Sequence, residues 1–242
     1  MPRLRHVDCA EPGFRRARRG RGFTYVDHRG TPIRNEATLE RIKGLVIPPA
    51  WTDVWICRHP HGHLQAVGTD AAGRRQYLYH PVWRAQRDRR KFEEMLTFAR
   101  LLPKLRRRVE RVVREGGLEK ERMLGFAVAL LDRGLFRVGS EEYAEENGSY
   151  GLTTLERRHV RLEPRSTLVF EYTGKTGKEL VHTIVDPALY AVASELRDER
   201  PRRKVFLGYE NGRGWTGLRA ADVNAFIKSV VGGDFSAKDF RT

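Results

Sequence analysis

The spacing of apolar and polar positions changes twice along the chain. Between residues 23 and 80, short apolar runs alternate with His/Gly and Asp/Gly turn signals, which is typical of strands in a small antiparallel sheet. Residues 37–46 differ because their apolar positions have helical spacing, and Pro48 and Pro49 stop that helix. The predicted strands cover residues 23–26, 54–57, 64–67 and 76–79.

Helical spacing dominates from residue 82 to residue 134. Residues 82–115 carry an apolar stripe, within which Pro103 predicts either a new helix or a kink, and two glycines end the pattern at 116–117. A further helix is predicted for 118–131, with Gly134 in its C-cap region.

The remainder mixes both periods. Ser140 is a predicted N-cap of a short helix that ends at 147–148, and 187–199 is a predicted helix. Residues 167–172 and 179–184 alternate with a period of two and predict a β-hairpin around a lysine-bearing tip at 173–178. Residues 208–217 are interpreted as loop, followed by a helix to Val231 and the start of another at 236–242.

These elements predict an α+β fold with two domains. We expect a basic arm at 1–22 and a β-rich domain at 23–85. A mainly helical domain with a small antiparallel sheet follows at 86–242. The arm is predicted to be flexible, because it carries seven arginines against two acidic residues.

Charge narrows the range of partners. The chain has 46 Lys+Arg against 31 Asp+Glu, a formal charge of +15, and 84–114 alone holds twelve basic and four acidic residues. Such an excess indicates a polyanion, with nucleic acid ahead of an anionic membrane. No stretch approaches the ~20 apolar residues that span a bilayer. The arginine-rich start lacks the apolar run of a signal peptide, and Cys9 and Cys57 have no framework spacing, which indicates reduced thiols in the cytoplasm.

Several kinds of site can be set aside. His59, His61 and His63 alternate, but Pro60 and Gly62 indicate a solvated turn, and no second ligand cluster has zinc spacing. The tip sequence Gly-Lys-Thr at 174–176 lacks the earlier glycine of a phosphate-binding loop and lies between two strands. No compact carboxylate set suits two metal ions. We therefore expect neither a metal nor another cofactor.

Three basic residues far apart in the sequence suit metal-free phosphoryl transfer. Arg137 follows a helix, Lys175 lies in the hairpin tip, and Arg241 is next to the last residue. Two guanidiniums can clamp the non-bridging oxygens of a phosphate, and a lysine can protonate a leaving oxygen. The stretch 73–79 adds arginines, an amide and phenols that suit phosphate and base edges.

The motifs around these residues resemble the type IB DNA topoisomerases, above all the compact viral and bacterial branch. The resemblance rests on Gly73-Arg-Arg-Gln-Tyr-Leu-Tyr79, Phe136-Arg-Val-Gly139 with 146–155, Tyr172-Thr-Gly-Lys175, and Lys238-Asp-Phe-Arg-Thr242, in that order. It covers the chain from about residue 20 to its end. It implies a C-shaped clamp around duplex DNA, formed by a β-rich and a mainly helical domain.

The resemblance also implies an activity and residue roles. A tyrosine would attack a backbone phosphodiester, form a 3′-phosphotyrosyl link, let supercoils relax and reseal the strand without ATP. Arg137 and Arg241 would stabilise the transition state, and Lys175 would be the general acid. A monomer in the cytoplasm, associated with the nucleoid, is expected. The implied DNA-binding residues are Arg74, Arg75, Gln76, Tyr77, Tyr79, Gly139, Gly174 and Lys238.

One departure and two alternatives accompany this hypothesis. In the family the nucleophilic tyrosine follows the Lys-Asp-x-Arg-Thr motif, and residues 1–242 contain no tyrosine in that context. We therefore expect this polypeptide by itself to bind DNA without cleaving it. Tyrosine recombinases share the chemistry but usually have His-x-x-Arg where this chain has Lys238-Asp-Phe-Arg241. A basic architectural DNA-binding module would explain the charge but not the ordered motifs.

Overall fold

The computed structural model describes residues 3–20, 22–199, 204–212 and 214–242. The chain forms two compact units, Met1–Glu93 and Glu94–Thr242. The sequence analysis placed the boundary at residue 85, eight residues earlier. Both positions lie within one long helix, where no turn residue marks a division.

The N-terminal unit is a five-stranded antiparallel sheet with one helix. The strand order is β2-β1-β3-β4-β5, and every neighbouring pair is antiparallel. The elements are β1 (Phe14–Arg19), β2 (Gly22–Val26), α1 (Glu36–Gly44), β3 (Thr52–Ile56), β4 (Leu64–Thr69) and β5 (Arg75–Tyr79). Ile42 of α1 packs with Val54, Ile56 and Ala66 of the sheet to form its core. The strands and the helix predicted for residues 23–80 are thus confirmed.

The prediction of a flexible arm over residues 1–22 is wrong for its second half. Residues 14–19 form β1, which lies between β2 and β3. Arg16 donates hydrogen bonds to the carbonyls of Ile47, Pro48 and Trp51, and its guanidinium lies 4.1 Å from the centre of the Phe23 ring. Arg15, Arg18 and Arg19 are exposed and Arg16 is satisfied internally, so the strand tolerates a composition that suggests a solvated tail.

The C-terminal unit surrounds one fully buried helix. In α3 (Lys120–Gly134), every residue from Arg122 to Leu131 is buried, as expected of a helix covered on all sides. The other helices are α2 (Pro81–Arg114), α4 (Glu141–Asn147), α5 (Pro187–Glu199) and α6 (Ala220–Val231), with a last 3-10 turn at Ala237–Arg241. A three-stranded sheet contains β6 (Val160–Glu163), β7 (Thr167–Thr173) and β8 (Glu179–Val185), in the order β6-β7-β8. None of the described helices is both long and apolar enough to cross a membrane.

Two details of this unit differ from the sequence analysis. The predicted loop 208–217 contains a hairpin of β9 (Gly208–Asn211) and β10 (Gly214–Gly217), and its four glycines hide the period-two pattern. Contact with the rest of the unit supports the hairpin, since the Glu210 N–H donates to the Leu118 carbonyl at 2.9 Å. Pro103 starts no new helix, because buried residues beyond it, such as Leu105 and Val109, hold α2 in place.

Candidate active site

Arg137 projects from a tightly fixed turn at the end of α3. Leu135 adopts the left-handed conformation, with φ of 53°, and its N–H donates to the Leu131 carbonyl at 3.0 Å. This closes the helix in the manner of a left-handed cap. The next residue, Phe136, is 1% exposed and anchors the turn in the core. Arg137 then faces solvent.

The segment 149–154 holds the backbone of Arg137 and Val138 in place through hydrogen bonds. The Leu152 N–H donates to the Arg137 carbonyl at 2.8 Å, and the Thr153 N–H and hydroxyl both donate to the Val138 carbonyl. Gly139 and Gly151 pack backbone against backbone: a Cβ on Gly151 would lie 2.5 Å from Gly139 Cα and 2.8 Å from the Arg137 carbonyl oxygen. Gly139 also has φ of +94°, which favours glycine. Both glycines are therefore required by contacts within the protein.

Lys175 lies in the turn between β7 and β8. The Gly174 N–H donates to the Lys178 carbonyl at 2.7 Å and closes the tip, where Lys175 is exposed. A Cβ on Gly174 would lie 2.4 Å from Leu180 Cδ1, so a larger residue at this position would require the Leu180 side chain to move. The Tyr150 N–H donates to the Thr173 carbonyl at 2.8 Å, which ties the hairpin to the segment that also supports Arg137.

Arg137 and Lys175 line the same surface depression, which has a volume of about 250 Å³. The other lining residues are Ser140, Glu142, Glu146, Ser149 and Tyr150. These five were not identified from the sequence, although three of them belong to quoted motifs. Hydroxyls and carboxylates are common on any surface, so only their position beside two cations indicates a role.

Arg241 lies near Arg137. It ends the 3-10 turn Ala237–Arg241, whose start is fixed by the hydrogen bond from Ala237 N–H to Asn224 Oδ1 at 3.0 Å. The pKa of Arg241 lies below its ordinary value, first because of burial and then because of the neighbouring Arg137 charge. The fold therefore places Arg137 beside Lys175 in one depression and within electrostatic range of Arg241.

A buried tyrosine of β7 lies near both arginines. Tyr172 is 3% exposed, and its hydroxyl lies 3.1 Å from His182 Nε2. Burial raises the pKa of Tyr172 to about 12, against the opposing effect of the Arg241 and Arg137 charges. Burial also lowers the pKa of His182, so its imidazole is neutral at neutral pH.

The proposed DNA-contact residues of the N-terminal unit are on β5. Arg75, Tyr77 and Tyr79 share its exposed face, and the two phenol rings are stacked with centroids 6.2 Å apart. Arg75 donates to Cys9 Sγ at 3.0 Å. Arg74 and Gln76 differ, because both side chains donate to the carboxylate of Asp70. The backbone N–H of Arg74, followed by these two side chains, lowers the pKa of Asp70 to about 2.

The alternating histidines hold no metal cluster, since the described residues contain no group of three or more ligands suited to a metal ion. His63 instead accepts a hydrogen bond from the Val7 N–H at 3.2 Å and packs its ring on Trp83. Lys238 is exposed on the same 3-10 turn as Arg241.

The mixed fold and the basic depression define a domain suited to contact with an anion. Comparison with known families agrees. The family described as "Eukaryotic DNA topoisomerase I, catalytic core" matches residues 80–242, and "Bacterial DNA topoisomerase IB, N-terminal domain" matches residues 22–70. The chain belongs to the type IB DNA topoisomerases, which confirms the resemblance drawn from its motifs.

Individual relatives differ in how much of their length this chain spans. It is 30% identical to DNA topoisomerase 1B of Acanthamoeba polyphaga mimivirus over 95% of this chain and 69% of that protein. For DNA topoisomerase 1 of Rabbit fibroma virus the identity is 26%, over 64% of this chain and 52% of that protein. The match to a solved structure of the XerH site-specific recombinase bound to difH substrate covers 58% of this chain and 38% of that chain. The sequence identity is 15% and the TM-score is 0.41.

Proposed function

We propose that this protein relaxes supercoiled duplex DNA without ATP, by reversible transesterification at one strand. The observation that supports this most directly is the convergence of Arg137, Lys175 and Arg241 on one face of the C-terminal unit. Cationic side chains gathered on one face attract an anion. A backbone phosphate supplies that anion.

The two arginines bind the oxygens on which charge develops. When a tyrosine oxygen attacks phosphorus, negative charge increases on the two non-bridging oxygens. Guanidiniums held in advance at these oxygens stabilise the transition state more than the ground state. The backbone hydrogen bonds beneath Arg137 and the anchored turn that carries Arg241 supply this preorganisation.

Lys175 protonates the leaving group. The tyrosine oxygen bonds to phosphorus and its proton passes to solvent, the bond from phosphorus to the 5′ oxygen breaks, and the Lys175 ammonium transfers a proton to that oxygen. A free 5′-hydroxyl results, Lys175 regains a proton from solvent, and the reverse steps reseal the strand. Because the phosphotyrosyl link conserves the energy of the phosphodiester, the cycle needs no nucleotide.

Two of the tyrosines whose side chains the structure describes lie next to the cations, and neither is suited to be the nucleophile. Tyr150 donates to Glu156 Oε1 at 3.2 Å, and Tyr172 is buried with a pKa of about 12. We propose that neither of them attacks the DNA. A protein–DNA adduct trapped by denaturant and mapped to Tyr150 or Tyr172 would contradict this.

We further propose that the N-terminal unit contacts duplex DNA through β5. Arg75 supplies a phosphate contact, and the exposed rings of Tyr77 and Tyr79 supply flat surfaces against sugar and base edges. The net charge of +15 favours binding through release of counterions. We place the protein on the chromosome in the cytoplasm, as a monomer that encircles its substrate.

The role of Lys175 can be tested with a modified substrate in the product of the complete gene. Lys175→Ala should slow single-turnover cleavage by about 10²–10⁴-fold. A substrate with sulfur in place of the 5′-bridging oxygen should restore the rate, because a thiolate leaves without a proton. Lys178→Ala is the matched control, since it removes an exposed lysine at the other end of the same tip. Equal slowing on both substrates would exclude the general-acid role.

Relaxation of a plasmid that lacks any recombination site distinguishes this function from the strand-exchange alternative. A topoisomerase relaxes such a plasmid in steps. A recombinase needs paired sites, and an architectural DNA-binding module leaves the linking number unchanged once protein is removed. Arg137→Ala should remove most of the relaxation rate while DNA binding persists.

A further inference from the structure

A hydrogen-bonded pair of polar side chains lies within the apolar sheet behind the cations. Tyr172 on β7 and His182 on β8 are diagonal neighbours, because Tyr172 pairs with Leu180 and His182 pairs with Phe170. The phenol oxygen is 3.1 Å from His182 Nε2, and the two rings are nearly parallel, at 14°. The phenol is removed from water and the imidazole is half-buried, so the phenol oxygen depends on His182 for a partner.

The imidazole of His182 is also influenced by the end of α3. Burial lowers the pKa of His182, and the Gly134 backbone acts in the opposite direction. The pair therefore joins β7 to β8 close to the last residue of α3.

Phe136 is enclosed by this pair. Its ring centroid lies 4.3 Å from that of His182 and 5.0 Å from that of Phe170, and it stacks on Tyr172 at 6.1 Å. A Cβ on Gly134 would lie 2.2 Å from the Phe136 ring, so the helix end is closed over the same residue. Phe136 directly precedes Arg137, and Tyr172 is three residues before Lys175.

The buried hydroxyl is not explained by stability alone. Phenylalanine at 172 and an apolar residue at 182 would fill a similar volume without removing polar groups from water, and such replacements are commonly neutral or stabilising. The Tyr172 hydroxyl also lies close enough to Arg137 and Arg241 for both charges to act on it. A polar pair in this position connects the arginines to the hairpin that carries Lys175.

We propose that Tyr172 and His182 are positioning residues for strand cleavage. Their hydrogen bond fixes the position of the Phe136 ring. Phe136 in turn fixes the position of the Arg137 guanidinium relative to Arg241 and to the hairpin tip that carries Lys175. The inference rests on the proposed function, because it assumes that Arg137 acts on the phosphate. Neither residue touches the DNA, so both act through Arg137.

The test is a double-mutant cycle on single-turnover cleavage by the product of the complete gene. Tyr172→Phe should slow cleavage about tenfold, the rate equivalent of one lost hydrogen bond to a charged or preorganised network. The dissociation constant for an uncleavable duplex should stay within about twofold. In an Arg137→Ala background, Tyr172→Phe should cause no further loss, because its effect passes through that guanidinium. Tyr190→Phe, which removes a partly buried hydroxyl elsewhere in the same unit, is the control.

Histidine replacements supply a second arm. His182→Gln should retain most of the rate, since its amide can still hydrogen-bond the Tyr172 hydroxyl, whereas His182→Phe should be as slow as Tyr172→Phe. In the 242-residue chain, the ¹⁵N resonance of His182 Nε2 should move when Tyr172 becomes phenylalanine, because the two groups are 3.1 Å apart. An unmoved resonance would overturn the proposal whatever the cleavage rates.

The outcomes separate this inference from the function on which it rests. If Arg137→Ala cleaves at the normal rate, the proposed function itself is wrong. If Arg137→Ala is slow but Tyr172→Phe is normal, only the positioning role is wrong. Equal slowing by Tyr172→Phe with and without Arg137, together with a matching loss of thermal stability, would assign the pair a purely structural role.

Discussion

Gly151→Ala perturbs the site by contact alone. Gly151 has φ of −140° and ψ of 178°, a conformation that alanine adopts freely, so no backbone strain is introduced. The added methyl group would lie 2.5 Å from Gly139 Cα, 2.6 Å from Gly139 N and 2.8 Å from the Arg137 carbonyl oxygen. All three neighbours are backbone atoms, which cannot rotate away as a side chain can.

The size of the effect follows from these distances. Ordinary carbon contacts are about 3.5–4.0 Å, so the two backbone segments must separate by roughly 1 Å. Overpacking of this kind destabilises by about 1–3 kcal/mol. The displaced segment carries Arg137, and a misplacement of about 1 Å at a catalytic group can cost about 10²-fold in rate. The rate should therefore fall far more than the loss of stability would suggest.

The assay is single-turnover cleavage of a duplex with one scissile site by the product of the complete gene, at saturating protein. The midpoint of thermal unfolding and the dissociation constant for an uncleavable duplex should be measured in parallel. Gly116→Ala is the control, because a Cβ there meets nothing within 4 Å and the residue lies in the loop after α2. It should leave all three quantities unchanged.

A cleavage rate within twofold of the unaltered protein would refute this reasoning. That result would show that the contact between Gly139 and Gly151 relaxes without moving Arg137. A large loss of DNA affinity with an unchanged rate on bound DNA would place the contact in DNA binding instead.

Two further results are expected. Arg75→Ala should weaken DNA binding and reduce the slope of the logarithm of the binding constant against the logarithm of the salt concentration by about 1. Fluorescence anisotropy at several salt concentrations measures this slope. Arg74→Ala should change the slope less, because Asp70 already forms an ion pair with that guanidinium. Tyr172 should remain protonated in the folded protein up to a pH of about 12, so its contribution to stability is complete below the unfolded-state pKa of about 10 and is lost as pH rises toward 12. Chemical denaturation between pH 9 and 12 should show that loss, and Tyr172→Phe should remove it; an identical pH dependence in the variant would exclude Tyr172 as its source.

The sequence was informative where local patterns matched local structure. The hairpin of β7 and β8 was predicted within one residue at each end, because alternating β-branched and aromatic residues enclose a tip rich in Gly and Lys. The family was recognised because four short motifs occur in a fixed order. Local patterns failed at β1 and at the β9–β10 hairpin, where arginines and glycines obscured the period of two.

The tertiary structure determined which residues of the motifs lie near one another. No pattern shows that Arg137 and Lys175 line one depression, or that Arg241 approaches Arg137, since those contacts close loops of tens of residues. Nor does any pattern distinguish Tyr172 and His182 from ordinary strand residues, because their meaning lies in a diagonal contact across two strands and in a ring inserted from the end of α3. The sequence by itself determined the elements and the family, since both depend on residues close together in the chain. Only the folded chain determined the site, because Arg137, Lys175 and Arg241 are far apart in the sequence. Contacts between distant segments are needed to bring them near one another.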